Sequence, residues 1–341
     1  MPHQFEEFRV KPAIRLTVLS ACVLVLAAPH ATAQSLSYTK GQNVSPAFEG
    51  WEEDANGAKY FLFGYMNRNW EEELNVPVGA DNNITPGNPD QGQPTHFLPR
   101  RNRFVFRVAV PKSFTEKDEM VWTLTTYGKT EKAYASLRLD YKVDDVVKAS
   151  ETGALGAGTS SPEVRGNKPP VVKVEGPKTL SAKVGEPLTL TALVTDDGIP
   201  KRRAGGGSAA VSNVGSRTDA RPAGRRGGNG DGDPAQQRQQ RAMLPPARVT
   251  VGKNVGLHLS WFVYRGAGEV TFDPLQVKPW EDTRAGANSP WAPLWTPPEM
   301  PADGKVVVHA TFSKPGTYVL RGLADDGALF GSDEVTVTVR P

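Results

Sequence analysis

One cysteine, Cys22, stands in the whole chain, so no internal disulfide and no multi-cysteine metal site can form. Histidine is nearly as scarce, with five in 341 residues. His3 and His30 fall in an N-terminal stretch with the pattern of a leader, which leaves His96, His258 and His309. Zinc needs three or four converging ligands, so these three read as ordinary surface histidines. Charge of one sign is also missing: 40 Lys plus Arg stand against 37 Asp plus Glu, a formal +3 that gives no reason to expect a nucleic-acid partner. No Gly-x-Ser-x-Gly, no His-Glu-x-x-His and no phosphate loop appears. Turn formers, by contrast, are plentiful: 34 glycines and 29 prolines imply many turns and no dominance of long helices.

The first 33 residues have the pattern of an export signal. Arg9, Lys11 and Arg15 precede an apolar run from Leu16 to Ala28, and Ala31-Thr32-Ala33 offers the small-x-small cleavage site. Cleavage before Gln34 is expected, and the run is shorter than the ~20 residues of a membrane span. Leu19-Ser20-Ala21-Cys22 offers a second reading, a lipid-attachment site at Cys22. Too little apolar sequence separates Arg15 from that site, and the run continues beyond it, so the plain signal peptide is preferred. An exported bacterial protein without disulfides follows. With the signal removed, no transmembrane segment is expected.

Four regions follow from composition. Residues 34–148 form a first candidate domain. Residues 149–168 have almost no large apolar side chains and read as a linker. A second domain spans 169–341, interrupted at 201–241 by nine Lys/Arg, three Asp and nine Gly. This basic insert is expected to be a disordered loop. Its Arg225-Arg226-Gly227-Gly228 resembles RNA-binding arginine-glycine segments, but no aromatics stand between the arginines and export removes the partner.

Apolar residues alternate with period 2 through both domains. Leu188, Leu190, Ala192 and Val194 share one face, as do Leu257, Leu259, Trp261 and Val263, then Val306, Val308, Ala310 and Phe312, then Val335, Val337 and Val339. In the first domain Phe61, Phe63 and Tyr65 form one such face, and Phe104, Phe106, Val108 and Val110 another. No convincing helix appears. Strand after strand with Gly/Pro/Asp turns predicts an all-β protein of two β-sandwich domains. Trp261 falls mid-strand, where a sandwich core wants a large ring. Tyr318 follows a Pro-Gly turn and suits a tyrosine corner, whose hydroxyl ties a strand to its preceding loop.

The second domain resembles the bacterial PKD-like group of immunoglobulin-like domains. The resemblance rests on Asn167-Lys168-Pro169-Pro170, Val184-Gly185-Glu186-Pro187, Asp196-Asp197-Gly198, Leu259-Ser260-Trp261, the run Ala310 to Leu320, and Ala324-Asp325-Asp326-Gly327. It covers about 100 of the last 175 residues and is interrupted by the basic insert and by a Pro/Trp segment from Asp273 to Gly304. It implies a seven-stranded spacer or adhesion module with no catalytic residues. The first domain resembles no family of known function.

Three residue sets carry candidate chemistry. Asp196, Asp197, Asp325 and Asp326 close two strands at one end of the second sandwich, and four carboxylates there could hold calcium, the only cofactor expected. The alternative is two tight Asp-Gly turns. Trp280, Trp291 and Trp295, set among prolines, read either as a folded-back packed loop or as a carbohydrate-stacking surface. Glu71-Glu72-Glu73, with Glu49, Glu52, Glu53 and Asp54, could supply a glycosidase carboxylate pair beside Trp51 and Trp70, or face Arg100, Arg101 and Arg103 as a charged surface. The expected function is a non-catalytic binding or scaffold protein of the envelope or surface, with polysaccharide or another envelope protein as partner. The alternative is a polysaccharide-active enzyme or its carbohydrate-binding accessory.

Overall fold

The computed structural model describes residues 39–151, 165–200, 256–280 and 300–341. Residues 1–33, read above as a signal peptide, the basic insert 201–241, Trp291 and Trp295 lie outside these residues. The described strands form two β-sandwiches within the compact unit Tyr38–Pro341.

The first sandwich comprises β1 (Val44–Glu53), β2 (Lys59–Asn67), β3 (Leu74–Asn75), β4 (Asn82–Thr85), β5 (His96–Phe97), β6 (Arg100–Ala109), β7 (Met120–Thr126) and β8 (Lys129–Ala135). One sheet has the order β1-β2-β6 and the facing sheet β4-β7-β8, while β3 and β5 form a short pair at the side. Aromatic rings fill the space between them. Phe63 stacks on Phe106 at 5.3 Å, and both meet the edge or face of Trp122. Tyr65 and Phe97 close the cluster at 5.0 Å.

Contrary to the expectation of no helix, a short one, α1 (Asp145–Glu151), follows the first sandwich. Lys148 ties it to Glu52 and Asp145, and Ala149 is buried beside Ala328 and Leu329 of the second sandwich.

The second sandwich comprises β9 (Val171–Val174), β10 (Thr179–Lys183), β11 (Pro187–Thr195), β12 (His258–Arg265), β13 (Val270–Asp273), β14 (Lys305–Phe312), β15 (Gly316–Asp325) and β16 (Phe330–Arg340). Its sheets are β13-β14-β11-β9 and β10-β16-β15-β12. β10 runs parallel to β16, and every other ladder is antiparallel. The alternating residues bury as their period predicts: Leu190, Ala192, Val308, Ala310, Phe312 and Val337 are within 1% of full burial. Tyr318 donates its hydroxyl to the Lys314 carbonyl at 2.8 Å, which is the expected corner. A Cβ at Gly268 would collide with that hydroxyl, so the turn between β12 and β13 must carry glycine there. The split first strand, the tryptophan of β12 and the tyrosine corner make this an immunoglobulin-like sandwich.

Two β-bulges lie at the joint between the sandwiches, each with an aromatic residue that lies outside the core of its own sandwich. In β12 the register passes from Val263 to Arg265, leaving Tyr264 as the extra residue. Its ring enters the aromatic core of the first sandwich, and its hydroxyl donates to the Gly92 carbonyl. In β6 the residues Arg103, Phe104 and Val105 bulge opposite Gly64. Phe104 adopts φ 50 and turns toward Phe330, with ring centroids 6.5 Å apart. Period-2 reading put Phe104 in the first core, and the bulge explains why it lies elsewhere. Gly64 has no substitute, because a Cβ would run into the Glu49 carboxylate and the Asn102 carbonyl.

Arg321 fastens the joint. It donates to the Val105 carbonyl, pairs with Glu334 through Nε at 2.8 Å, and lays its guanidinium 3.5 Å from the Tyr264 ring centroid. Arg265 forks onto Asp90 at 2.8 and 2.9 Å and donates to the Gln93 carbonyl. That pairing holds the Asp90 carboxyl below the usual carboxylate range. Burial pushes the Tyr264 hydroxyl up to about 12, so it stays a neutral donor across the physiological range.

Candidate functional site

A cleft of about 450 Å³ lies where the sandwiches meet. The first sandwich contributes Glu71, Glu73, Asn75 and His96 to its wall, and the second contributes Trp261, Glu269, Val270, Gln276, Lys278 and Trp280. On the first side the geometry comes from the β3–β5 pair, where Asn75 stands directly opposite His96. The His96 ring lies between Asn75 Oδ1, 2.8 Å from Nδ1, and Glu73 Oε2, 2.9 Å from Nε2. It is only 6% exposed, so the expectation of a surface histidine is corrected. His309 does face outward and meets Thr189 Oγ1, and the half-buried His258 meets the Gly256 carbonyl.

On the second side the cleft opens between two sheet edges, β12 and β13. The chain beyond β13 returns along β12, and Gln276 Oε1 accepts the Trp261 amide at 2.9 Å. Val270, Val277, Trp261 and Trp280 are buried beneath the cleft. Lys278 is 8% exposed, with its ammonium 5.2 Å from the Trp280 ring centroid. Glu71, Asn75, Glu269 and Leu275 are exposed at the rim. Among the described residues, the buried indole N–H groups of Trp261 and Trp280 find no acceptor.

Of the acidic residues singled out in the sequence, only Glu71 and Glu73 reach this cleft. Glu49 pairs with Arg101, Glu52 with Arg107 and Lys148, and Glu53 with Lys142. Asp54 accepts the Asn56 and Ala58 amides in a hairpin turn, and Glu72 accepts from Gly41 and Tyr127. Among the described tryptophans singled out in the sequence, none is a fully exposed ring. Trp51 is buried with its indole N–H on the Arg138 carbonyl, Trp70 is covered by the Arg100 guanidinium at 3.8 Å, and Trp280 is 6% exposed.

The two Asp-Asp-Gly turns meet one short segment at the end of the second sandwich. Asn167 Nδ2 donates to Asp326 Oδ2, and the next residue, Lys168, donates its amide to Asp197 Oδ2. Other oxygens of the four aspartates serve the turns themselves. Asp326 Oδ1 accepts the Ala328 and Leu329 amides, Asp325 accepts Gly327, Asp196 accepts Gly198, and Asp197 accepts Ile199. Burial raises the Asp326 carboxyl to about 6 despite these donors. Among the described residues, no group of three or more His, Cys, Asp or Glu is placed to hold a metal ion. Asn167 Oδ1 and Asp196 Oδ1 are buried without a donor at this end.

No family model matches the chain, and no curated protein does. Among solved structures it is similar to the N-terminal eight Ig domains of Down syndrome cell adhesion molecule, at 9% identity and TM-score 0.20, over 87% of this chain and 27% of that one. It is also similar to domains 4 and 5 of the S-layer protein SbsC, at 8% identity and TM-score 0.20, over 88% and 98% of the two chains. Sidekick-1 immunoglobulin domains 1–4 align at 8% identity and TM-score 0.21, over 89% and 51%. No helix among the described residues is long and apolar enough to cross a membrane.

Proposed function

We propose that the chain is an exported, non-catalytic binding or scaffold protein of the bacterial envelope or surface. In this reading its two sandwiches, the second of PKD-like type, act as one body and present the cleft between them. The observation that carries it is the reciprocal joint, in which Tyr264 of the second sandwich completes the core of the first while Arg321 takes a carbonyl from the bulge of β6. Sandwiches joined that way hold a fixed angle, which suits a spacer or a bipartite binding surface better than a hinge does. Peptide mass spectrometry should find the mature chain beginning at Gln34, and that chain should unfold in one cooperative transition reporting both sandwiches. Two separate transitions would remove the basis for a single body.

A second reading, a polysaccharide-active enzyme or its accessory, is favoured by one observation, the presence of Glu71 and Glu73 in the cleft wall. Release of reducing ends from a neutral polysaccharide, abolished by Glu71→Gln, would establish it in place of the first.

A further inference from the structure

We infer that the cleft between the sandwiches is a binding site for an uncharged or amino-bearing oligosaccharide. The proposal deepens the binding reading above and rests on it. The volume, about 450 Å³, lies within the ~300–1,000 Å³ span of small-ligand sites. Its floor is hydrocarbon and aromatic, formed by Val270, Val277 and Trp280, while its rim carries the polar side chains of Glu71, Asn75 and Glu269. A sugar ring presents the same division, with apolar C–H faces and a girdle of hydroxyls that both donate and accept. Carboxylates and side-chain amides around an apolar floor can satisfy that girdle.

Charge narrows the class. Among the described wall residues, three carboxylates, Glu71, Glu73 and Glu269, stand against one lysine, Lys278, so an acidic glycan would meet repulsion and an amine would meet the exposed Glu269. The competing occupant of a cleft between two sheet edges is a peptide added as an extra strand. That mode needs free main-chain groups on the edge, and here the Trp261 amide at mid-strand is already bonded to Gln276 Oε1. The returning segment covers the edge of β12 and leaves side chains to make the contacts.

The test is calorimetric titration of the full mature chain with tetramers of glucose, N-acetylglucosamine and glucosamine. Tetragalacturonate serves as the acidic comparator and an extended lysine-rich peptide as the competing class. Ala267 lies exposed in the cleft wall, so Ala267→Trp fills the space, and Glu269→Ala removes an exposed rim carboxylate. At least one neutral or amino tetramer should bind, with affinity reduced tenfold or more in both variants while their melting stays that of the parent, and tetragalacturonate should not bind. Silence from all three tetramers at millimolar concentration, unchanged binding in Ala267→Trp, or preference for the peptide would overturn the proposal. The single-body reading is judged separately, by the one melting transition, and survives any of those results.

Discussion

The two sandwiches solve the same problem with different materials. The second fills its interior with aliphatic side chains such as Leu190, Val308, Leu320 and Val337, and adds Trp261, Phe312 and Tyr318. The first packs large rings and buries Asn67, Asn69, Asn82 and Gln93 beside them. The difference follows from how the backbone is satisfied. In the second sandwich long ladders pair the strands. In the first, the stretch from Val76 to Leu98 holds only the short β4 and β5, so side-chain amides take the carbonyls that a ladder would otherwise bind. Asn82 donates to the Val76 and Pro94 carbonyls and accepts the Trp122 indole N–H at 3.0 Å. Asn67 donates to the Glu72 and Phe97 carbonyls, and Gln93 to that of Pro89.

The sharpest way to break this comparison is at the residue that belongs to both. Tyr264→Ala would empty a site in the aromatic core of the first sandwich from a strand of the second, at a cost of about 3–5 kcal/mol. Chemical denaturation should show both sandwiches losing stability together, and a loss confined to the second would mean the joint is superficial. Asn82→Ala comes next. It would strand two buried carbonyls and an indole N–H for a loss of about 2–3 kcal/mol. The same denaturation experiment checks it, and a loss under 0.5 kcal/mol would show that water replaces the amide.

The contrast also decides what could be read from the chain. Alternation at Leu190, Ala192 and Val194, or at Val335, Val337 and Val339, needs only a buried face with period 2, and the pattern survives in the fold. It fails at Phe104 because a bulge shifts the phase by inserting residues, and nothing in Arg103-Phe104-Val105 marks where that happens; Tyr264 falls on the outer face of β12, opposite Val263, and the pattern does not say that a second core receives it. The joint therefore stayed hidden, and with it the cleft. Glu71 and Glu73 are legible as acids, but their company is not. His96 is 23 residues from Glu73 along the chain, and Trp261 and Lys278 come from the other sandwich. The one available cue was a lone histidine next to the aromatic Phe97, which is an ordinary strand pattern. Buried amides were equally silent, since Asn and Gln in a turn-rich stretch normally announce turns.

The smallest expected effect concerns the end of the second sandwich, where the sequence offered calcium or turns. Asp326 is 2% exposed, and burial raises its carboxyl to about 6, above the ordinary 3.8. A carboxyl raised on folding binds its proton more tightly in the native state than in the unfolded one. Between about pH 4 and 6 the native state then holds more protons, so this residue's contribution to stability falls as pH rises through that window and is recovered on acidification. Asp90, Asp118, Glu131 and Asp333, whose carboxyls are lowered, push the other way, but they are common to parent and variant and cancel in a difference. Melting temperatures of the parent and of Asp326→Asn at pH 4.5 and pH 7 should therefore differ in slope, with only the parent showing the added gain at the lower pH. Parallel slopes would mean that the donors from Asn167, Ala328 and Leu329 outweigh burial. Repeating the pair at pH 7 in millimolar calcium and in chelator separates the two sequence readings. Equal melting is expected, because the Asp326 oxygens already accept three donors. A calcium-dependent rise in the parent that Asp326→Asn loses would instead give the donorless oxygens of Asn167 and Asp196 a cation to bind.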